Sequence, residues 1–232
     1  MIRRAFGLAI DSEIDLPDLP PGAAPPDIYI RFGDTPASLP APTARGVFWQ
    51  VDDTAVLMDL PRIARFLIRN GTDLLITPAD GVSESDLRYA LVHAALGPLL
   101  HQRRVLMLHA SAVQLDTATV AFAGHSGAGK STLLYECLRR GGKMIADDTA
   151  VLDFAGGGVS VHAGTSKVHL WGDSMAHFGI HSGAGTPVRS TPKIQVPALT
   201  VPAGTALPLT AIIVIELERG TAADHTLARQ GG

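Results

Sequence analysis

Gly124-His125-Ser126-Gly127-Ala128-Gly129-Lys130-Ser131 fills every fixed position of the pattern G-x-x-x-x-G-K-[ST]. These are the residue types a polyphosphate site requires. Glycines let successive backbone N–H groups turn inward around phosphate oxygens, and a following helix adds its positive N-terminal end. In such a site Lys130 neutralises the β- and γ-phosphates, the Ser131 hydroxyl holds Mg²⁺, and Gly124, His125, Ser126, Gly127, Ala128, Gly129 and Thr132 complete the nucleotide-binding set. A nucleoside triphosphate with Mg²⁺ is therefore expected, ATP being taken as the nucleotide although the loop itself does not separate ATP from GTP. Thr119 to Ala123 reads as a short buried strand entering the loop, and Ser131 to Arg140 as a helix leaving it and ending at Gly141-Gly142.

A second chemistry-bearing group follows almost at once. Lys143-Met-Ile-Ala-Asp147-Asp148 reads as a strand that ends in two acids. In an α/β sheet the carboxyl ends of strands face the ligand crevice, so a strand neighbouring the phosphate loop delivers both carboxylates to the γ-phosphate region. One acid can ligate Mg²⁺ while the other accepts the proton of an attacking hydroxyl, the division of labour of a kinase. Adjacent strand residues point to opposite faces, so different jobs for the two are expected. The sequence has no Asn-Lys-x-Asp pattern for guanine selection. Leu227-Ala-Arg-Gln-Gly-Gly232 does not match the Leu-Ser-Gly-Gly-Gln signature of transporter ATPases, which disfavours a switch GTPase or a transport motor.

The order and spacing of these residues resemble the HPr kinase/phosphorylase-like serine kinases. Leu108-His109-Ala110-Ser111-Ala112 precedes the loop and Ile145-Ala-Asp-Asp148 follows it, similar to that family's histidine, phosphate loop and Asp-Asp strand over residues 105 to 154. The resemblance implies that Asp147 is the catalytic base and Asp148 the Mg²⁺-associated acid. It also makes Lys130 and Ser131 the phosphate and metal contacts and sets His109 near the reacting phosphate, neutral or charged. Lys193, in Ser190-Thr-Pro-Lys-Ile, is similar to a family lysine near the active site. The stretch from Phe66 to Val113, with Gln102-Arg103 and Leu-His-Ala-Ser-Ala, resembles the HPr-kinase-like proteins associated with lasso-peptide biosynthesis. For those, the implied substrate is a precursor peptide phosphorylated on its C-terminal serine. Two departures stand out: family members are expected to continue with helical sequence past the Ile212-to-Ile215 strand, and no phosphorylase signature matches between Gly156 and Thr200.

The elements that must position these residues form an α/β fold. We expect a phosphate-loop core with a mixed sheet, similar to the HPr kinase C-terminal domain, over 83–232, and a small β-rich N-terminal module over 1–82. Half the prolines precede Ala44, so that portion should be short strands such as Asp27 to Phe32 on stiff connections, a scaffold or docking module. Val47 to Val51, Ala55 to Met58, Ile63 to Ile68 and Leu74 to Thr77 read as a small antiparallel sheet, the last two strands joined by Asn70-Gly71. At Ser83-Glu-Ser-Asp86 the pattern turns helical, with Leu87, Ala90, Leu91, Ala94 and Ala95 on one face and a kink expected at Gly97-Pro98. Val105 to His109 and Ala112 to Gln114 read as strands, an Asp116 turn leads into the loop strand, and the final strand is Ala211 to Glu216.

Composition bounds the class of partner. The chain has 232 residues, 46% hydrophobic content and a formal charge of −3, enough to bury a core and without the basic footprint of a nucleic-acid or anionic-membrane binder. The apolar run Ala5 to Ile10 is too short for a secretion signal, and the longest apolar stretches fall short of the ~20 residues a membrane helix needs. A cytoplasmic location is expected. The sole cysteine, Cys137, excludes an intrachain disulfide framework and reads as a small buried hydrophobe. His162, His169, His177 and His181 lack zinc-site spacing and read as solvated loop histidines, while Trp171 reads as a packing anchor. A serine-bearing peptide or protein is the expected partner, a homo-oligomer is compatible with the sequence, and two other readings stay open: a small-metabolite kinase, and a non-catalytic ATP-sensing protein.

Overall fold

The computed structural model describes residues 1–23, 25–154, 157–181, 185–187 and 192–216. Strands β1 (Ile2–Ala5), β2 (Leu8–Ser12), β3 (Ile28–Phe32), β4 (Ala44–Arg45), β5 (Trp49–Val51), β6 (Ala55–Leu60), β7 (Ala64–Arg69) and β8 (Asp73–Pro78) build one sheet in the order β1-β2-β3-β8-β7-β6-β5-β4. The expected antiparallel sheet is larger and mixed, because β3 runs parallel to both β2 and β8. The long connection 13–27 returns the chain across the sheet, whereas a tight turn would have reversed it. The first residues are an edge hairpin. Phe6 and Gly7, like Asn70 and Gly71, carry consecutive positive φ values of 55° and 79°, and of 55° and 66°, as a two-residue turn that follows strand twist requires.

Helix α1 (Glu84–Ala90) starts where expected: the Asp86 N–H donates to the Ser83 hydroxyl. It continues through one π-helical turn (Leu91–Ala95) into α2 (Leu96–Gln102). The expected break at Gly97-Pro98 falls one turn earlier. Pro98 lacks an N–H and its ring crowds the carbonyl four residues back, and the π turn absorbs that misfit, with the Leu96 N–H donating to Leu91 O. Leu87, Leu91, Leu96, Leu99 and Leu100 pack on Phe66, Ile68, Leu74 and Ile76 in one buried cluster. That cluster runs across residue 82. Gln102 and Arg103 tie the helix end to the Asn70-Gly71 turn: Gln102 Oε1 accepts from the Gly71 N–H at 2.8 Å and Arg103 donates to Gly71 O at 3.0 Å.

Three smaller sheets follow. Strands β9 (Leu106–Leu108), β10 (Ala110–Leu115), β11 (Ala118–Gly124), β12 (Lys143–Ala146), β13 (Ala150–Asp153), β14 (Ser160–His162), β15 (Lys167–Trp171), β16 (Thr186–Pro187), β17 (Lys193–Pro197), β18 (Ala206–Pro208) and β19 (Ala211–Ile215) are joined by α3 (Lys130–Arg139) and α4 (Gly172–His177). The sheets run β12-β10-β11-β19, β18-β14-β13-β9 and β15-β17-β16, a mixed α/β architecture. Alanines at 110, 112, 121, 146 and 150 let the first two pack closely face to face. Leu134 of α3 buries the opposite face with Val113, Phe122, Val168 and Leu170. Half-buried Cys137 lies against that cluster, and burial pushes its thiol pKa up. Among the described residues no helix is long and apolar enough to cross a membrane.

Candidate functional site

The site lies where one strand pair changes sheets. β9 pairs with β13 (Leu108 opposite Ala150) and β10 pairs with β12 (Ala112 opposite Ala146). Both chains therefore leave one sheet for the other over residues 109–111 and 147–149. His109, Ser111, Asp147 and Asp148 all sit at that crossing. Asp148 has a φ of 71°, a conformation a non-glycine residue seldom adopts, which marks a backbone held by its surroundings.

The glycine-rich loop leaves β11 and enters α3 with φ values of 147° at Gly124, 84° at Gly127 and 91° at Gly129. At Gly124 a side chain has no room, since a Cβ would lie 2.5 Å from Ile215 O of β19. At Gly127 and Gly129 a Cβ would meet nothing within 4 Å, so these two face an open concavity. The first N–H groups of α3, which have no intrahelical partner, face the same way. Lys130 is 6% exposed and its ammonium donates to Gly124 O at 2.8 Å and His125 O at 2.9 Å. Burial lowers its pKa, and Asp148 and Asp147 partly offset this.

Asp147 is enclosed. Its side chain is 0% exposed; Oδ1 accepts from Ser131 at 2.8 Å and from Ser111 at 2.7 Å, and Oδ2 accepts from the His169 N–H at 2.8 Å. Burial by itself would raise its pKa, but the His169 ring and N–H, with Ser111, more than reverse that and hold it below the usual carboxylate range. The His169 ring nitrogen Nδ1 stands 3.5 Å from Oδ2; the short bond to that oxygen comes from the backbone. Asp148 is the open acid. Its carboxylate lies 3.6 Å from Lys193 Nζ, 3.6 Å from His109 Nδ1 and 4.0 Å from His93 Nδ1.

His109, Gly127, Lys130, Asp148, Trp171 and Lys193 line a cleft of about 640 Å³. Ser126 to Thr132 line it as well, and Thr132 Oγ1 pairs with Ser174 Oγ at 2.8 Å. Gly124 and His125 contribute the two carbonyls that hold Lys130. The two acids have opposite environments: Asp147 is bonded to Ser131, and Asp148 faces the cleft. Lys193 belongs to the group; Ser190 and Thr191 of its motif lie outside the described residues, as does the chain beyond 216.

Ser111, His93 and His169 belong to the site although the sequence assigns them no role in it. Ser111 is two strand residues from His109, within the quoted Leu108-to-Ala112 segment. His169 and Trp171 are signalled by alternation in Lys167-Val-His-Leu-Trp171. His162, His169 and His177 lie in elements and not in solvated loops, and His169 is 1% exposed. His93 occupies the π turn, its ring 4.6 Å from that of His169 and 4.5 Å from that of Tyr89. Burial, then His169, lowers its pKa to about 4. Among the described residues no group of three or more His, Cys, Asp or Glu is arranged to hold a metal; the Ser131 hydroxyl and Asp147 carboxylate, hard oxygens held together, are the donor pair suited to Mg²⁺.

No protein-family model matches this chain, and no curated protein matches it. Solved structures do: one, titled "Structure of the Hpr(Ser) kinase/phosphatase from Coxiella burnetii", is 19% identical over 50% of this chain and 82% of that one, with a TM-score of 0.28. A match that shallow says nothing of what this chain does.

Proposed function

We propose that the chain is an ATP- and Mg²⁺-dependent kinase that transfers the γ-phosphoryl group to a serine hydroxyl of a peptide or protein. The observation that carries this reading is the pairing of Ser131, next to the cleft lysine, with buried Asp147, while a second acid, Asp148, stands in the cleft beside His109 and Lys193. Geometry favours exchanging the roles the resemblance implied. Asp147 is sealed from the cleft, so an acceptor hydroxyl does not reach it; bonded to Ser131, it would help that hydroxyl hold Mg²⁺. Bound there, Mg²⁺ would supply charge neutralisation across the β- and γ-phosphates.

Asp148 is then the base. The acceptor serine oxygen bonds to the γ-phosphorus as the bond to the bridging oxygen breaks, ADP leaves, and the serine proton passes to the Asp148 carboxylate. His109 and Lys193 hold that carboxylate in the cleft. The loop N–H groups and the Lys130 ammonium, released from its two carbonyls, take the phosphate oxygens.

The test is intact-mass analysis of peptides incubated with the protein, ATP and Mg²⁺: one ending in serine, the same peptide ending in alanine, and one with an internal serine. Phosphate on the C-terminal serine alone supports a peptide-tailoring kinase. ATP binding without transfer to any of them, with transfer to a small hydroxylated metabolite instead, moves the acceptor to a different class.

A further inference from the structure

We infer that Trp171 is the acceptor-recognition residue of this cleft, and that it selects peptides with an apolar or aromatic residue beside the acceptor serine. The inference rests on the kinase reading above. Trp171 ends β15 directly opposite Lys193 of β17, and residues opposite each other in an antiparallel pair project to the same face. Lys193 reaches Asp148 at 3.6 Å, and two residues before Trp171 the His169 N–H is bonded to Asp147. The end of β15 is thus pinned to both acids.

Its exposure is out of keeping with its strand. His169 and Leu170 are each 1% exposed, but Trp171 is 41% exposed and lines the cleft. This large apolar plane, left open in the cleft beside Lys193 and Asp148, is available to a ligand. The plane is also rigidly mounted: Trp171 is the residue before α4, and α4 is tied to α3 through the Ser174–Thr132 hydroxyl pair at 2.8 Å.

Position distinguishes an acceptor platform from a nucleobase platform. The loop strand β11 has the strand of the acids two places to one side and β19 on the other. A triphosphate in the loop presents its terminal phosphate to the acids, and in-line transfer brings the acceptor to that phosphorus from the side opposite the leaving oxygen. Trp171 is joined to the acids through Lys193 and His169, which assigns it to this acceptor flank. An indole offers a rigid amphipathic contact area at small conformational entropy cost, suited to an aliphatic or aromatic side chain.

The chain has two tryptophans, Trp49 and Trp171, so the full-length Trp49→Phe protein reports on Trp171 alone. Acrylamide quenching of its emission is measured with a non-hydrolysable ATP analogue and Mg²⁺, then with two peptide pools whose central serine is flanked by Leu and Phe or by Gly. The nucleotide analogue should leave quenching unchanged, while the Leu/Phe pool shields Trp171 and binds about tenfold more tightly than the Gly pool. Trp171→Ala should abolish that preference, measured by peptide anisotropy, and Trp171→Phe should keep most of it, which separates recognition from a folding defect. Shielding by the nucleotide alone, equal binding of the two pools, or binding of neither overturns the inference. Titration of a fluorescent ATP analogue into the same protein tests the kinase reading separately.

Discussion

His109 Nδ1 lies 2.9 Å from the carbonyl oxygen of Asp148 and 3.6 Å from its carboxylate. The two residues occupy facing points on a strand pair that changes sheets between them, so the contact is fixed by topology as much as by side-chain reach. If His109 holds Asp148 in the cleft, His109→Ala should lower transfer by about 10- to 100-fold with little change in nucleotide affinity. His109→Asn, which keeps a hydrogen-bonding group near the Nδ1 position, should recover part of the loss. Equal rates for wild type and His109→Ala would remove His109 from the site.

Gly124 and Gly127 should respond differently to alanine. At Gly124 the new Cβ would lie 2.5 Å from a β19 carbonyl at a φ of 147°, so Gly124→Ala should destabilise the fold by about 1–3 kcal/mol. Gly127→Ala has open space around it, so its cost is only that of a side chain at a φ of 84°, about 1–2 kcal/mol, while it weakens nucleotide binding because the methyl group enters the concavity. Thermal melts with and without ATP and Mg²⁺ measure both effects.

Lys130 should govern nucleotide binding. At a ligand concentration 100 times Kd, ATP with Mg²⁺ should stabilise the wild type by about 2.7 kcal/mol, a rise of roughly 5–10 °C in Tm. Lys130→Met, which removes the buried ammonium from the loop, should show little or no rise. An undiminished rise would mean that nucleotide binds elsewhere.

Acid should weaken the fold through His93. His169, Asp148, Asp147, Lys193 and Tyr89 surround it, and its pKa falls from 6.5 to about 4 on burial. Below pH 6.5 the unfolded chain takes up a proton that the folded chain refuses, so stability drops as pH falls towards 4 and levels off below it, by up to roughly 3 kcal/mol. Asp147, whose pKa is lowered, adds its own loss below the ordinary carboxylate value of 3.8. Denaturant melts of His93→Phe should lack the limb between pH 6.5 and 4; an unchanged limb would assign it to another group.

Much of the core was legible in the sequence because its signals are local. The loop pattern, the Ser83 cap, the Asn70-Gly71 turn and the paired acids each rest on residues a few positions apart, and the strand–loop–helix course of 118–139 follows from them. The parallel pairing of β3 was not legible, since it depends on which distant strands meet. Nor was the division of labour between Asp147 and Asp148: strand alternation requires them to differ, but which one is buried depends on Ser111 and His169, contributed by strands far apart in sequence. His93 needed the π turn, and the cause of that turn, Pro98, was read as a break one turn too late.

Single-turnover transfer from γ-labelled ATP, run beside calorimetric nucleotide titration for wild type, Asp148→Asn and Asp147→Asn, decides which acid is the base and whether the protein transfers phosphate at all. Asp148→Asn should bind Mg²⁺ and ATP as tightly as wild type and transfer at least about 10²-fold more slowly, while Asp147→Asn should lose Mg²⁺-dependent affinity. Transfer by Asp148→Asn at the wild-type rate would remove Asp148 as the base, and a wild-type protein that binds no ATP would rule out the kinase.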